Sequence, residues 1–227
     1  MIKKITNIIN LNYVQEIKSV NWTDIFVLNV WGEKKDIIIR SGSNVKLYQN
    51  TSELVISPDG KSFVFTYKKD WKKVLVKDWK ELKECDDLSI FKYSPNGKNF
   101  AYIAKNWEKE ILVKDNQTYT YDEIVKFDFS PNSYWYALIA KVWNNTFLVK
   151  DGKKLEDYKD IINFKYIPNS NNIVFLMKKW DNIWLMKDWW CVAEYYWVLD
   201  FEYLQDGRIL VVVKNNDDTV TIEEIEC

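Results

Sequence analysis

Apolar positions along the chain gather into short runs, and the runs recur in a fixed order. The longest are Phe63-Val64-Phe65-Thr66-Tyr67, Phe100-Ala101-Tyr102-Ile103-Ala104, Tyr136-Ala137-Leu138-Ile139-Ala140, Ile173-Val174-Phe175-Leu176-Met177 and Ile209-Leu210-Val211-Val212-Val213. Runs this continuous predict strands buried on both faces. Ahead of each lies a second kind of run: Leu54-Val55-Ile56, Ile90-Phe91-Lys92-Tyr93, Val125-Lys126-Phe127-Asp128-Phe129, Phe164-Lys165-Tyr166 and Phe201-Glu202-Tyr203. Several of these alternate apolar and polar residues, which predicts half-buried strands. A third run follows, Val74-Leu75-Val76, Ile111-Leu112-Val113, Phe147-Leu148-Val149 and Trp184-Leu185-Met186, and it always ends in Lys-Asp: Lys77-Asp78, Lys114-Asp115, Lys150-Asp151, Lys187-Asp188. A more polar fourth strand, such as Glu81-Leu82-Lys83-Glu84-Cys85, leads into the next copy.

Between the first and second strands stands a recurring tetrapeptide. It reads Ser57-Pro58-Asp59-Gly60, Ser94-Pro95-Asn96-Gly97, Ser130-Pro131-Asn132-Ser133, Ile167-Pro168-Asn169-Ser170 and Leu204-Gln205-Asp206-Gly207, with starts 37, 36, 37 and 37 residues apart. All four prolines of the chain lie here. Proline presets φ, and Asp, Asn and Gly tolerate φ above zero, so each tetrapeptide is a turn. Four short strands per repeat, the outermost most polar, predict the blade of a β-propeller.

Stepping back one period from Ser57 reveals a degenerate first copy, with Phe26-Val27-Leu28 and Ile37-Ile38-Ile39 on its second and third strands. The last copy runs out where its fourth strand is due, and residues 5–11 are placed to supply it by pairing with 220–225. The expectation is therefore an all-β chain: one six-bladed propeller over 1–227, with four antiparallel strands per blade and a ring closed by the N-terminal strand. The expected blades are 16–52, 53–88, 89–124, 125–161, 162–198, and 199–227 together with 1–13. Closure would remove the exposed sheet edge that promotes aggregation.

The turn, the apolar strand after it and the VKD-type strand end resemble the WD-repeat-like repeats of TolB-type β-propellers, well in four copies and weakly in two. The resemblance implies a protein-interaction platform, and in that family such a platform often stands beside another domain.

Composition bounds the function. Charges nearly cancel, 32 Lys plus Arg against 33 Asp plus Glu, which argues against a nucleic-acid partner. No window approaches a membrane-spanning helix and the N-terminus is a poor signal peptide, so membrane insertion is not expected. The expected compartment is the cytoplasm, or the periplasm if a leader has been removed. Cys85, Cys191 and Cys227 have neither metal-site nor disulfide-framework spacing, so no metal, cofactor or disulfide is expected. The chain has no histidine, which removes the commonest general base and the histidine-based triads. The chain is expected not to be an enzyme and to have no catalytic residues. Its expected role is a monomeric scaffold that binds a protein or peptide partner, or another ligand, through the loops of one face. The alternative is a propeller hydrolase or lyase with carboxylates in the channel.

Two residue sets draw attention. Lys68, Lys105, Lys141, Lys178 and Lys214 end the second strands and form a candidate basic binding rim; lysines that merely keep strand ends solvated would give the same pattern. Acidic residues gather where the copies begin, at Asp86, Asp87, Asp122, Glu123, Asp157 and Asp160, in the manner of loop composition. Finally, twelve tryptophans against six glycines is an odd ratio. Trp71, Trp107, Trp143 and Trp180 sit in the turn between the second and third strands. Trp79 and Trp189 follow Lys-Asp, where other copies have Asn116, Gly152 and Gly42. Such turns want φ above zero, which a bulky residue resists. Three readings are open: an aromatic binding ring, rings folded over neighbouring blades, or glycine positions whose UGA codons have been read as Trp. Alternation with Gly and Asn fits the third best.

Overall fold

In a computed structural model the described residues are 14–31, 34–52, 54–187 and 190–226, and among them there is no helix. The first sheet is β1 (Val14–Val20), β2 (Thr23–Trp31), β3 (Lys34–Ser41) and β4 (Asn44–Thr51). The second is β5 (Val55–Ile56), β6 (Phe63–Lys69), β7 (Lys72–Lys77) and β8 (Lys80–Cys85), joined to the first by a single rung, Thr51 to Tyr67. The third is β9 (Asp87–Tyr93), β10 (Phe100–Asn106), β11 (Lys109–Lys114) and β12 (Gln117–Tyr121). The fourth is β13 (Glu123–Phe129), β14 (Tyr136–Val142), β15 (Asn145–Lys150) and β16 (Lys153–Lys159). The fifth is β17 (Ile161–Tyr166), β18 (Ile173–Lys179), β19 (Asn182–Lys187) and β20 (Trp190–Tyr195). The last is β21 (Val198–Tyr203), β22 (Arg208–Lys214) and β23 (Val220–Glu226). In every sheet the strands are hydrogen-bonded in chain order, and every described register is antiparallel. The expected closing strand, residues 5–11, lies outside the described residues.

Burial follows the apolar pattern. Second strands are the most buried: four residues in a row in β6 and five in β14 and β18. β22 instead alternates buried with half-buried positions. Fourth strands β8 and β12 are largely exposed, as their polar sequences predict.

The proline turn is organised by its serine, which the turn chemistry alone did not reveal. Ser57, Ser94 and Ser130 are all buried. Ser94 Oγ donates to Asn96 Oδ1 at 2.9 Å and accepts the Asn99 amide at 3.0 Å. Ser57 and Ser130 repeat the pattern with Asp59 and Ser62, and with Asn132 and Trp135. Where Ile167 replaces the serine, Ser170 Oγ accepts the Asn172 amide instead. The aspartate of the Lys-Asp pair has a comparable task. Asp78 and Asp151 each accept the amide of the first residue of the second strand, Phe63 and Tyr136, at 2.9 Å.

The described residues fall into two compact units. One runs to Phe91 and includes Ala104–Trp107; the other holds Lys92–Ile103 and the chain from Glu108 onward. The first has a core around Val20, Ile25, Ile37, Tyr48, Phe63 and Phe65. The second packs Ile139, Leu148, Phe164 and Phe175 in one cluster and Leu185, Phe201, Ile209 and Val211 in another. Within the second unit, lysines tie first strands of successive sheets. Lys92 pairs with Asp128 at 2.8 Å, Lys126 Nζ donates to Asn163 Oδ1 and the Phe164 carbonyl at 2.7 and 2.6 Å, and Lys165 pairs with Glu202 at 2.5 Å. Among the described residues no helix is long and apolar enough to cross a membrane.

Candidate functional site

The rim lysines each end the second strand of their own sheet. Lys68, Lys105 and Lys178 are exposed, whereas Lys141 reaches Glu123 at 3.2 Å and Lys214 reaches Asp218 at 2.7 Å. The acidic residues are largely engaged locally. Asp86 accepts the Trp107 amide at 2.9 Å and Asp122 the Trp143 amide at 2.6 Å, so each caps the turn of its own sheet. Asp87 pairs with Lys73 at 2.5 Å and accepts the Leu88 amide; the lysine hydrogen bond is the main reason its carboxyl is held below the usual range. Asp160 accepts the Lys178 amide at its carbonyl. The Asp157 side chain and Trp189 lie outside the described residues.

The turn tryptophans do not form one kind of contact. Trp107, Trp143 and Trp180 stand first in two-residue turns, with φ of 56°, 58° and 55°. Trp71 stands second in the matching turn, after Asp70 with φ of 56°. All four are 80% to 97% exposed. Trp79 also has positive φ, 72°, yet its indole packs against the first unit's core and donates to Thr23 Oγ1 at 3.1 Å.

The second unit holds a groove of about 530 Å³ lined by Trp135, Lys150, Asp151, Lys153, Leu155 and Asn171. A volume of this size suits a small ligand or a few residues of a peptide. Its polar members come from a strand end and a proline turn. Lys150 Nζ donates to the Asn171 carbonyl at 2.8 Å, which holds the turn against β15. Asp151, fixed by the Tyr136 amide, has its carboxyl pushed up by burial, against the opposing pull of that hydrogen bond and of Lys150 and Lys114. Asn171 Oδ1 is buried and accepts no hydrogen bond, and the buried Tyr166 hydroxyl likewise lacks a partner. Burial, then the charge of Asp151, pushes the Tyr166 hydroxyl upward. A buried acceptor without a donor costs about 1–3 kcal/mol, which a donor from a ligand would relieve. Trp135 and Leu155 supply the apolar walls, and the exposed Lys153 a cation at the mouth.

A second groove, about 520 Å³, is lined by Glu108, Lys109, Thr120, Tyr121, Asp122, Val142 and Trp143. There the central charges are already spent: Asp122 pairs with Lys109 and caps the Trp143 amide. None of the candidate lysines lines the first groove. Its sequence signal was a departure from the repeat: Trp135 and Asn171 stand where other copies carry Ser62 or Asn99 and Lys61 or Lys98.

No protein-family model matches the sequence, and no curated protein matches it. Solved structures do. The β-propeller domain of the Trilobed protease from Pyrococcus furiosus, described as having an open velcro topology, is 11% identical, with 94% of this chain and 81% of that one covered and a TM-score of 0.48. Hsv2 of Kluyvelomyces marxianus is 12% identical over 94% of this chain and 85% of that one, with a TM-score of 0.46. The acylaminoacyl peptidase of Pyrococcus horikoshii is 12% identical over 95% of this chain, with a TM-score of 0.44, and the chain spans only 45% of its length. These likenesses concern the fold. One expectation is corrected: the structures to which this chain is similar include a peptidase, and the expectation that the chain is not an enzyme is withdrawn.

Proposed function

We propose that the chain is a six-bladed β-propeller acting as a binding scaffold, and that the groove beside β15 takes a short peptide segment. The observation that carries the reading is Asn171 Oδ1, a buried acceptor with no donor in a groove that also offers apolar walls and a lysine. A peptide N–H answers the first, an apolar side chain the walls, and a carboxylate Lys153. The repeat supports the scaffold. Successive four-stranded meanders with polar outer strands are what propeller blades require, and the serine turns resemble those of TolB-type WD-like repeats. The partner is a protein or peptide, the chain a monomer, and the compartment the cytoplasm.

The test is fluorescence anisotropy with labelled synthetic peptides that place an acidic residue beside an apolar one. Expected is a member of the panel whose affinity falls about tenfold in Asn171→Ala, which is roughly 1.4 kcal/mol, and also falls in Lys153→Glu. Binding that both variants leave unchanged, or a panel without a binder, would overturn the groove assignment.

A further inference from the structure

We propose that Trp22, Trp71, Trp79, Trp107, Trp143 and Trp180 are glycine in the protein made by its own cell, through the reading of UGA as glycine. The inference is independent of the binding site proposed above.

The backbone is the first argument. Trp22, Trp79, Trp107, Trp143 and Trp180 have φ of 63°, 72°, 56°, 58° and 55°, the left-handed region in which a bulky residue is an outlier. All lie in two-residue hairpin turns, where such φ values are set by the twist of the flanking strands rather than by the side chain.

The turns themselves are the second argument. With glycine at these positions every one becomes a standard hairpin sequence. Asn21-Trp22, Asp70-Trp71 and Asp78-Trp79 become Asn-Gly or Asp-Gly, and Trp143-Asn144 and Trp180-Asp181 become Gly-Asn and Gly-Asp. Trp107-Glu108 gains glycine at the first position, where a type II′ turn demands it. Trp71, whose own φ is not positive, is included on its sequence alone, since Asp70-Trp71 would become Asp-Gly. The turn of Trp79 is built in other sheets as Asp115-Asn116 and Asp151-Gly152, with φ of 64° and 75° at the second residue.

The side chains are the third argument. Trp22 is 96% exposed, and the other exposed members behave alike. An indole serving the fold would be covered, as Trp184 is, packed against the core of the second unit with Lys179 Nζ 3.8 Å from its ring centre. Among the six only Trp79 docks, with its indole donating to Thr23 Oγ1.

The test is tandem mass spectrometry of the protein purified from its native cell, beside the codons of its gene. Expected are glycine residues and UGA codons at all six positions, with tryptophan and UGG at Trp184. Tryptophan at any of the six, or glycine at Trp184, overturns the proposal.

Discussion

A tryptophan held at φ near 58° and left in water, like Trp143, has neither of the usual reasons to be there: it buries little surface and it strains its backbone. In recombinant protein made with the standard code, Trp143→Gly is expected to raise stability by about 1 kcal/mol in urea unfolding. Trp143→Ala should recover less, because alanine keeps the Cβ that resists this φ; equal gains from both would exclude backbone strain as the cause. The serine of the proline turn gives the opposite case. Removing its hydroxyl in Ser130→Ala leaves the Trp135 amide without its acceptor, at about 1–3 kcal/mol, read by the same unfolding curves. The turn was legible from proline, asparagine and glycine, whose preferences are local. The serine was not, because its partner lies five residues on and meets it only after the turn has formed. Asp151 adds a pH signature. Its folded pKa is raised, so the folded state holds the proton more tightly than the unfolded chain, and this group's contribution falls as pH rises through the ordinary carboxylate range to the folded value. Asp151→Asn keeps an acceptor for the Tyr136 amide and removes the charge. Its stability should therefore match the parent at low pH and exceed it at neutral pH, in thermal melts across pH 3 to 8.

At the scale of elements, the sheets owe their order to the 37-residue period, but what joins them is harder to read. Lys92, Lys126 and Lys165 look like lysines copied with the repeat, and their partners Asp128, Asn163 and Glu202 stand one period further on. A spacing equal to the repeat cannot by itself separate copying from contact. The structure separates them, and also ranks them. Lys92–Asp128 is exposed and is worth about 0–1 kcal/mol, whereas Lys126 is half-buried, lies 5.0 Å from the Phe164 ring centre and holds two acceptors. Lys126→Met should therefore destabilise by about 1–3 kcal/mol and Lys92→Met by markedly less in urea unfolding. The acidic residues at the starts of the copies were read from sequence as loop composition, and their main task became clear only with the turns in place. Asp86 and Asp122 hold the amides of Trp107 and Trp143, positions that no alternation of charge could have flagged.

At the scale of the whole molecule, the succession of antiparallel four-stranded sheets was readable in the turn spacing, because proline turns punctuate the chain independently of packing. The groove was not, because it is made where the fourth copy's Trp135 and the fifth copy's Asn171 break the pattern. The central proposal is that six repeats close into one disk. Small-angle X-ray scattering of the monomer tests it most directly. A closed propeller of 227 residues should give a radius of gyration of about 17 Å with a single-peaked distance distribution. A value well above about 20 Å, with a shoulder at long distances, would contradict closure and leave an open row of sheets.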